Sequence, residues 1–319
     1  MKSVNFIIPY FGMLPNYTQL FLNSCKYNKD FNWTLITDDH TDYVFPDNVR
    51  VVYMSFSEVV DFVKSKFDFD VCFENPRKLC DMKPMYGYLF EEFNEGYDYW
   101  GFGDLDVILG DLADFITDEM LTYDKLFTLG HMTIMKNTDF MNTLFMKPVD
   151  GVEYYKKVLQ TGKGMNFDED FLDRVNINTI CRKENVKLWE HAVIADIYTK
   201  STWFQLDYGD EVEKKYKNYF IWNERNLIRR IKKNTGWENQ KYMYIHLQKR
   251  KMDVCLLQDQ MSIFKIIPNK FVKLDIPFEK IGVDDDKVKC KAFNMQYLTI
   301  RSKNLIAKIK ERLNKRGVN

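Results

Sequence analysis

Two hydrophobic periodicities alternate along the first half of this chain. Residues 4–10 form a compact β-rich run that breaks at Pro9-Tyr10-Phe11-Gly12, and residues 16–27 then carry apolar side chains at helical spacing. A second strand is expected over 33–37, ending on Asp38-Asp39, and a third over 49–53, followed by a helix over 57–66. Residues 77–93 read as another helix, 97–109 as a strand running into a polar turn, and 126–135 as one or two further strands. Strands alternating with helices imply a parallel sheet with helices on its faces. Beyond this the pattern changes. Residues 219–222 and 227–231 flank Asn223-Glu224-Arg225-Asn226, a hairpin signal, and 242–246 is a short strand. The last segment, 300–316, places Leu305, Ile306, Ile309 and Leu313 on one helical face among Arg301, Lys303, Lys308, Lys310, Arg312, Lys315 and Arg316. Such a helix suits peripheral contact with an anionic membrane; the alternative is a solvated helix docked on the domain.

Composition narrows the classes. With 319 residues, 45% of them hydrophobic, the chain can bury one substantial core, which the pattern assigns to an α/β catalytic domain over 1–250 with an extension over 251–319. Lysine plus arginine and aspartate plus glutamate stand at 46 each, so no global field points to nucleic acid, and any electrostatic function is local. Aromatic residues make up 16%, which suits a thick core and stacking surfaces for sugars or bases. The six cysteines form no Cys-x-x-Cys pair, so reduced structural thiols are expected. The opening apolar run is too short for a signal peptide and no stretch approaches the roughly 20 apolar residues of a membrane span. The expected location is the cytoplasm or the inner face of the plasma membrane.

Chemistry concentrates in Tyr99-Trp100-Gly101-Phe102-Gly103-Asp104-Leu105-Asp106-Val107-Ile108. On an extended chain Asp104 and Asp106 share a side, while Leu105 and Val107 point into the core. Two carboxylates converging at the end of a buried strand repel each other and want a cation. Hard oxygen ligands suit Mn²⁺ or Mg²⁺, with diphosphate oxygens completing the coordination.

Four motifs in order carry a family resemblance: Ile7-Ile8-Pro9-Tyr10-Phe11-Gly12, Lys78-Leu79-Cys80-Asp81-Met82-Lys83-Pro84, Gly101-Phe102-Gly103-Asp104-Leu105-Asp106, and Tyr244-Ile245-His246-Leu247-Gln248-Lys249-Arg250. Over most of the first 250 residues the chain resembles bacterial polysaccharide-biosynthesis glycosyltransferases of the GT-A (Rossmann-like) fold, relatives of the retaining family 8 and family 32 enzymes that build lipopolysaccharide and capsule-type chains. The resemblance implies transfer of a hexose from a nucleotide-sugar donor, the UDP-sugar first, to a glycan or lipid-linked glycan acceptor. It implies that Pro9, Tyr10, Phe11, Gly12, Thr37 and Asp38 hold the nucleoside and that Asp81 and Lys83 sit beside the ribose and sugar. It further implies that His246 joins Asp104 and Asp106 around the metal and that Lys249 touches the diphosphate. His131 occupies an acceptor-binding place, and Asp168 and Glu169 a catalytic pair. The chain departs from family 8 in lacking the glycine between His246 and Lys249 and the Lys-Pro-Trp ending, with Gln248 and Lys249-Arg250-Lys251 instead.

Other assignments of the same residues stay open at this stage. Asp81 and Lys83 suit a helix surface, Asp38 a turn, and His246 a hydrogen-bonded strand end. Asp168 or Glu169 suits the cap of a helix continuing through Phe171-Leu172. A haloacid-dehalogenase-like phosphatase would use Asp104 as nucleophile, but Ile108 stands where that motif expects Thr or Val. A nucleotidyltransferase needs a Gly-rich loop after the first strand, where only Gly12 is present. A non-catalytic carbohydrate-binding domain could keep the same fold.

Overall fold

Val4–Tyr10 is almost entirely apolar along its buried length, as a strand covered on both faces must be, and it lies mid-sheet. The structure, a computed structural model, describes residues 2–171, 174–209, 211–248 and 250–316, with side chains to residue 309. It is a mixed α/β protein. The chain divides into two units: Met1–Pro15, Asn28–Leu105 and Ala113–Ala192 form the first, and Asn16–Tyr27, Asp106–Leu112 and Val193–Asn319 the second.

Among the described residues the first unit holds a seven-stranded sheet. Val4–Tyr10 pairs in parallel with Phe31–Thr37 on one side and Tyr99–Gly103 on the other, and Phe31–Thr37 pairs in parallel with Val49–Tyr53. Tyr99–Gly103 then pairs antiparallel with Met132–Lys136, which turns back as Lys125–Leu129 and takes the short strand Leu188–Trp189 on its outer side. Gly101 makes the central contact possible, because a Cβ there would lie 2.7 Å from both the Phe6 ring and the Thr133 carbonyl oxygen. Helix Phe56–Ser65 covers the sheet with Val59 and Val63, its first turn closed by a capping box in which Ser55 and Glu58 exchange side-chain and backbone hydrogen bonds.

Three expectations are corrected here. The helix expected over 77–93 is not one regular α-helix but runs as contiguous helical pieces, Lys78–Met82, Lys83–Met85 and Tyr86–Leu89, followed by the separate turn Glu91–Phe93. Pro84 is the local cause, since it offers no N–H to continue the ladder. The strand expected over 97–109 ends at Gly103; Val107–Leu109 belongs to a different sheet in the second unit. Asp104, Leu105 and Asp106 are therefore the crossing between sheets rather than consecutive strand positions. Lastly, Phe171 lies outside any helix, Leu172 is outside the described residues, and the next helix, Ile177–Lys183, is capped by Asn176. Neither Asp168 nor Glu169 caps it.

In the second unit the hairpin signal is realised as Lys217–Asn223 and Asn226–Lys233, paired from Lys217↔Lys232 to Asn223↔Asn226 with Glu224 in the left-handed region at φ 53°. Gly236–Tyr242 continues this sheet at one edge, and Ile263–Ile267, Lys270–Val272 and Asp253–Cys255 continue it at the other. The boundary expected at residue 250 lies inside this unit, whose sheet draws strands from both sides of it. Phe220, Trp222, Phe264 and Phe271 fill the core. Arg229, fully buried, is balanced by a two-pronged pairing with Glu213 at 2.9 and 2.6 Å. A separate three-stranded sheet joins Val107–Leu109, Tyr244–His246 and Ala195–Asp196. No helix among the described residues is long and apolar enough to cross a membrane.

Candidate functional site

The three-stranded sheet of the second unit brings distant polar residues together. His246 lies opposite Val107 across one pairing and opposite Asp196 across the other, so Asp106 arrives at the start of one neighbour and Asp196 from the second. Burial of Ile108, Ala195, Ile245 and Leu247 fixes the backbone on which they stand. The His246 Nδ1 is 2.8 Å from Asp196 Oδ1, and its Nε2 is 3.4 Å from Asp106 Oδ1. Gln248 Nε2 also donates to Asp196 Oδ1, at 2.7 Å. An ionised Asp196 only accepts, so Nδ1 carries a proton whatever the charge of the ring, and Nε2, turned toward Asp106, holds the proton that a cation would displace. Burial works against a charged imidazole, but hydrogen bonds and charge from Asp106 and Asp196 outweigh it and raise the His246 pKa to about 10.

This donor set fits a divalent cation. Two ligands in adjacent positions around an ion at about 2.1 Å lie about 3 Å apart, close to the separation seen between Asp106 and Nε2. The carboxylate that orients the far imidazole nitrogen is the partner a metal-bound histidine requires. Asp196 was not among the expected site residues. The available signal was its isolation as an acid in Ala192-Val193-Ile194-Ala195-Asp196-Ile197, but only the pairing with residue 246, 50 positions on, gives it meaning.

In the first unit Lys83 is the organising group. Its buried ammonium donates to Asp104 Oδ1 at 2.6 Å and to the Gly130 carbonyl at 2.8 Å, and stands 3.7 Å from Asp168 Oδ2. Burial alone would lower its pKa; the charges of Asp104 and Asp168 reverse this and hold it well above the ordinary lysine value. Asp168 shows the converse. Desolvation raises its carboxyl to about 7, against the pull of Lys83 and with help from the neighbouring charges of Glu169 and Asp104. Glu169 accepts from the Gly130 amide at 3.3 Å. A Cβ at Gly130 would stand 2.7 Å from Asp168 Oδ2 and 2.8 Å from Glu169 Oε2, so a larger residue there would push both carboxylates aside. The next residue, His131, is buried and its carbonyl accepts the Asp104 amide at 3.2 Å.

Asp81 is no surface charge, as a helical position had allowed. It is buried, ion-paired with Lys78 at 2.9 Å, and accepts the Met165 amide on both oxygens. The loop after the first strand is braced rather than open: Asp38 accepts the Gly12 amide at 2.7 Å and Asp39 that of Leu14 at 2.8 Å. Gly12, at φ +86°, makes the turn. Pro9 and Tyr10 pair with Ile36 and Thr37, and Phe11 is buried behind them. These residues thus converge at the ends of two adjacent strands. Lys249 is outside the described residues.

The observations define a class: a mixed α/β protein with a carboxylate–imidazole–carboxylate row in one unit and lysine-held carboxylates in the other. The chain belongs to a family of unknown function, DUF6625, which matches it over residues 6–275. No curated protein matches its sequence. Among solved structures it is similar to the galactosyltransferase LgtC in complex with donor and acceptor sugar analogues, at 9% identity, covering 60% of this chain and 75% of that one with a TM-score of 0.29.

Proposed function

We propose that this protein is a metal-dependent glycosyltransferase of GT-A type that moves a hexose from a nucleotide diphosphate sugar, the uridine form first, to a hydroxyl of a bacterial surface glycan with retention of configuration. The observation that carries the reading is the His246 row, in which Asp196 holds one imidazole nitrogen and the other is presented to Asp106 at 3.4 Å. Asp104 belongs to the same motif by connectivity, since Cα atoms two residues apart are at most about 7 Å from each other. A Mn²⁺ or Mg²⁺ ion held by Asp104, Asp106 and His246 would neutralise the charge developing on the departing nucleoside diphosphate.

The chain's own groups take complementary parts. Lys83 acts as a positioning residue, since its protons go to Asp104 and Gly130 within the protein. Asp81 likewise serves the site by fixing the Met165 segment. The braced turn at Gly12 with Thr37 and Asp38 receives the nucleoside, Lys249 meets the diphosphate, and His131, Asp168 and Glu169 face the acceptor. The four motifs support this allocation.

The test is incubation of the protein with Mn²⁺ and a panel of nucleotide sugars while following nucleoside diphosphate release. Release from one donor, abolished by chelation and by Asp106→Asn, is expected. Failure of every nucleotide sugar either to bind or to be cleaved would sink the reading, and glycan binding without any release would point instead to a carbohydrate-binding module.

A further inference from the structure

The helix Met295–Arg316 presents a second, separate chemistry. It starts on Asn294, whose side chain accepts the Tyr297 amide at 3.0 Å as an N-terminal cap. It is fastened to its own unit by Ile300, which is buried, and by Asn304, which donates to the Lys200 carbonyl at 3.0 Å. The apolar stripe is elsewhere. At 100° per residue, Leu298, Leu305, Ile306 and Ile309 fall within about a third of the circumference, on the side away from Ile300. All four are exposed: 41, 61, 53 and 48%. A helix docked by its hydrophobic face would bury these residues, and here the docking residue is a different one.

Charge identifies what covers the stripe. From Arg301 to Arg316 the sequence holds seven basic residues and a single acid, Glu311, in a chain whose total charges balance. Helical spacing puts Lys303 along one border of the stripe and Arg301 and Lys308 along the other. An aliphatic stripe bordered on both sides by cations matches a helix lying in the plane of a lipid surface, with its side chains in the acyl boundary and its cations among anionic headgroups. A second copy of the chain is a poor occupant, because pairing two such stripes would bring both sets of cations together.

We propose that this helix is a docking surface for anionic membrane and carries the protein on the bilayer face. The proposal does not rest on the catalytic reading. The experiment is co-sedimentation of the full-length protein with phosphatidylcholine vesicles, with and without phosphatidylglycerol. Binding to the anionic vesicles, weakened by salt, is expected. The double variant Leu305→Gln/Ile309→Gln should bind roughly tenfold or more weakly, the loss expected when aliphatic side chains no longer enter the acyl region. Its melting temperature should not change, since both side chains are exposed. Arg301→Gln/Lys303→Gln/Lys308→Gln should lose the preference for phosphatidylglycerol. The proposal is overturned if the protein ignores anionic vesicles at low salt, if the Leu305/Ile309 variant binds as the parent does, or if light scattering shows that this variant has instead lost self-association.

Discussion

Replacing Lys83 by methionine tests whether one buried ammonium holds the carboxylates of the first unit. The substitution keeps the aliphatic stem and removes the charge that lies 2.6 Å from Asp104 and 3.7 Å from Asp168. Asp104, about a third exposed, can return to water; Asp168, with its side chain only 7% exposed, cannot. Breaking a buried pair by deleting one partner costs about 3–5 kcal/mol. Asp168 limits that cost by taking up a proton, because its carboxyl already titrates near 7 with Lys83 in place. The Gly130 carbonyl also loses its donor, which costs about 1–3 kcal/mol if nothing replaces it. A net loss of about 3–4 kcal/mol is therefore expected in urea denaturation near neutral pH. Adding Asp168→Asn removes the stranded carboxylate, so the double variant should be about 1–2 kcal/mol more stable than the sum of the singles predicts. Additivity within about 0.5 kcal/mol would refute the coupling and reduce Lys83 to a packing residue.

Asp196→Asn should lower the His246 pKa by removing one of its two carboxylates and weaken Mn²⁺ binding by about 10- to 100-fold, read by calorimetric titration; an unchanged affinity would separate Asp196 from the site. Because the Asp168 pKa is raised from 3.8 to about 7 on folding, the folded state binds the extra proton and this group's contribution to stability falls as pH rises through that window. The stability gap between Asp168→Asn and the parent should thus shift in the variant's favour from about pH 4 to about pH 7 and then level off; a gap that does not change with pH would contradict the shift. Gly101→Ala should cost about 1–3 kcal/mol or more by forcing a Cβ onto Phe6 and the Thr133 carbonyl, whereas Gly103→Ala, with 3.5 Å to its nearest neighbour, should melt close to the parent.

Local signals carried much of this architecture. The strand at Val4–Tyr10, the parallel strands Phe31–Thr37 and Val49–Tyr53 that follow it in the sheet, and the hairpin at Asn223–Asn226 are written in short-range periodicity and turn chemistry. What could not be read locally was any change of partner. Apolar residues continue from Phe102 through Leu105, Val107, Ile108 and Leu109, and all are buried, so nothing in their pattern marks the passage from one sheet to another. Asp81 misled for a related reason. Its i,i+3 pairing with Lys78 is what a helix surface shows, and only the Met165 segment, 84 residues on, turns that pair into a buried one. The acids of the central motif were visible as chemistry, but the residue that orients His246 was visible only as geometry.

The strands that assemble the His246 row are three, three and two residues long, too short to be stable without the core around them. As pure structure they are an expensive choice. Asp106 and His246 are buried, and desolvating such groups is repaid only by good geometry, which a 3.4 Å separation does not supply. If the row existed to stabilise the fold, apolar residues of similar volume would do it better. The combined replacement Asp106→Leu, Asp196→Leu and His246→Phe should therefore leave stability unchanged or raise it by about 1–4 kcal/mol, as such exchanges do elsewhere, while Mn²⁺ binding disappears. Thermal unfolding with and without Mn²⁺ separates the two accounts. The parent should gain melting temperature with added metal and the variant should not, because only a protein that binds the ion when folded is stabilised by it. A variant several kcal/mol less stable than the metal-free parent, with no metal effect in either protein, would make the row a structural device and remove the cation from the proposal.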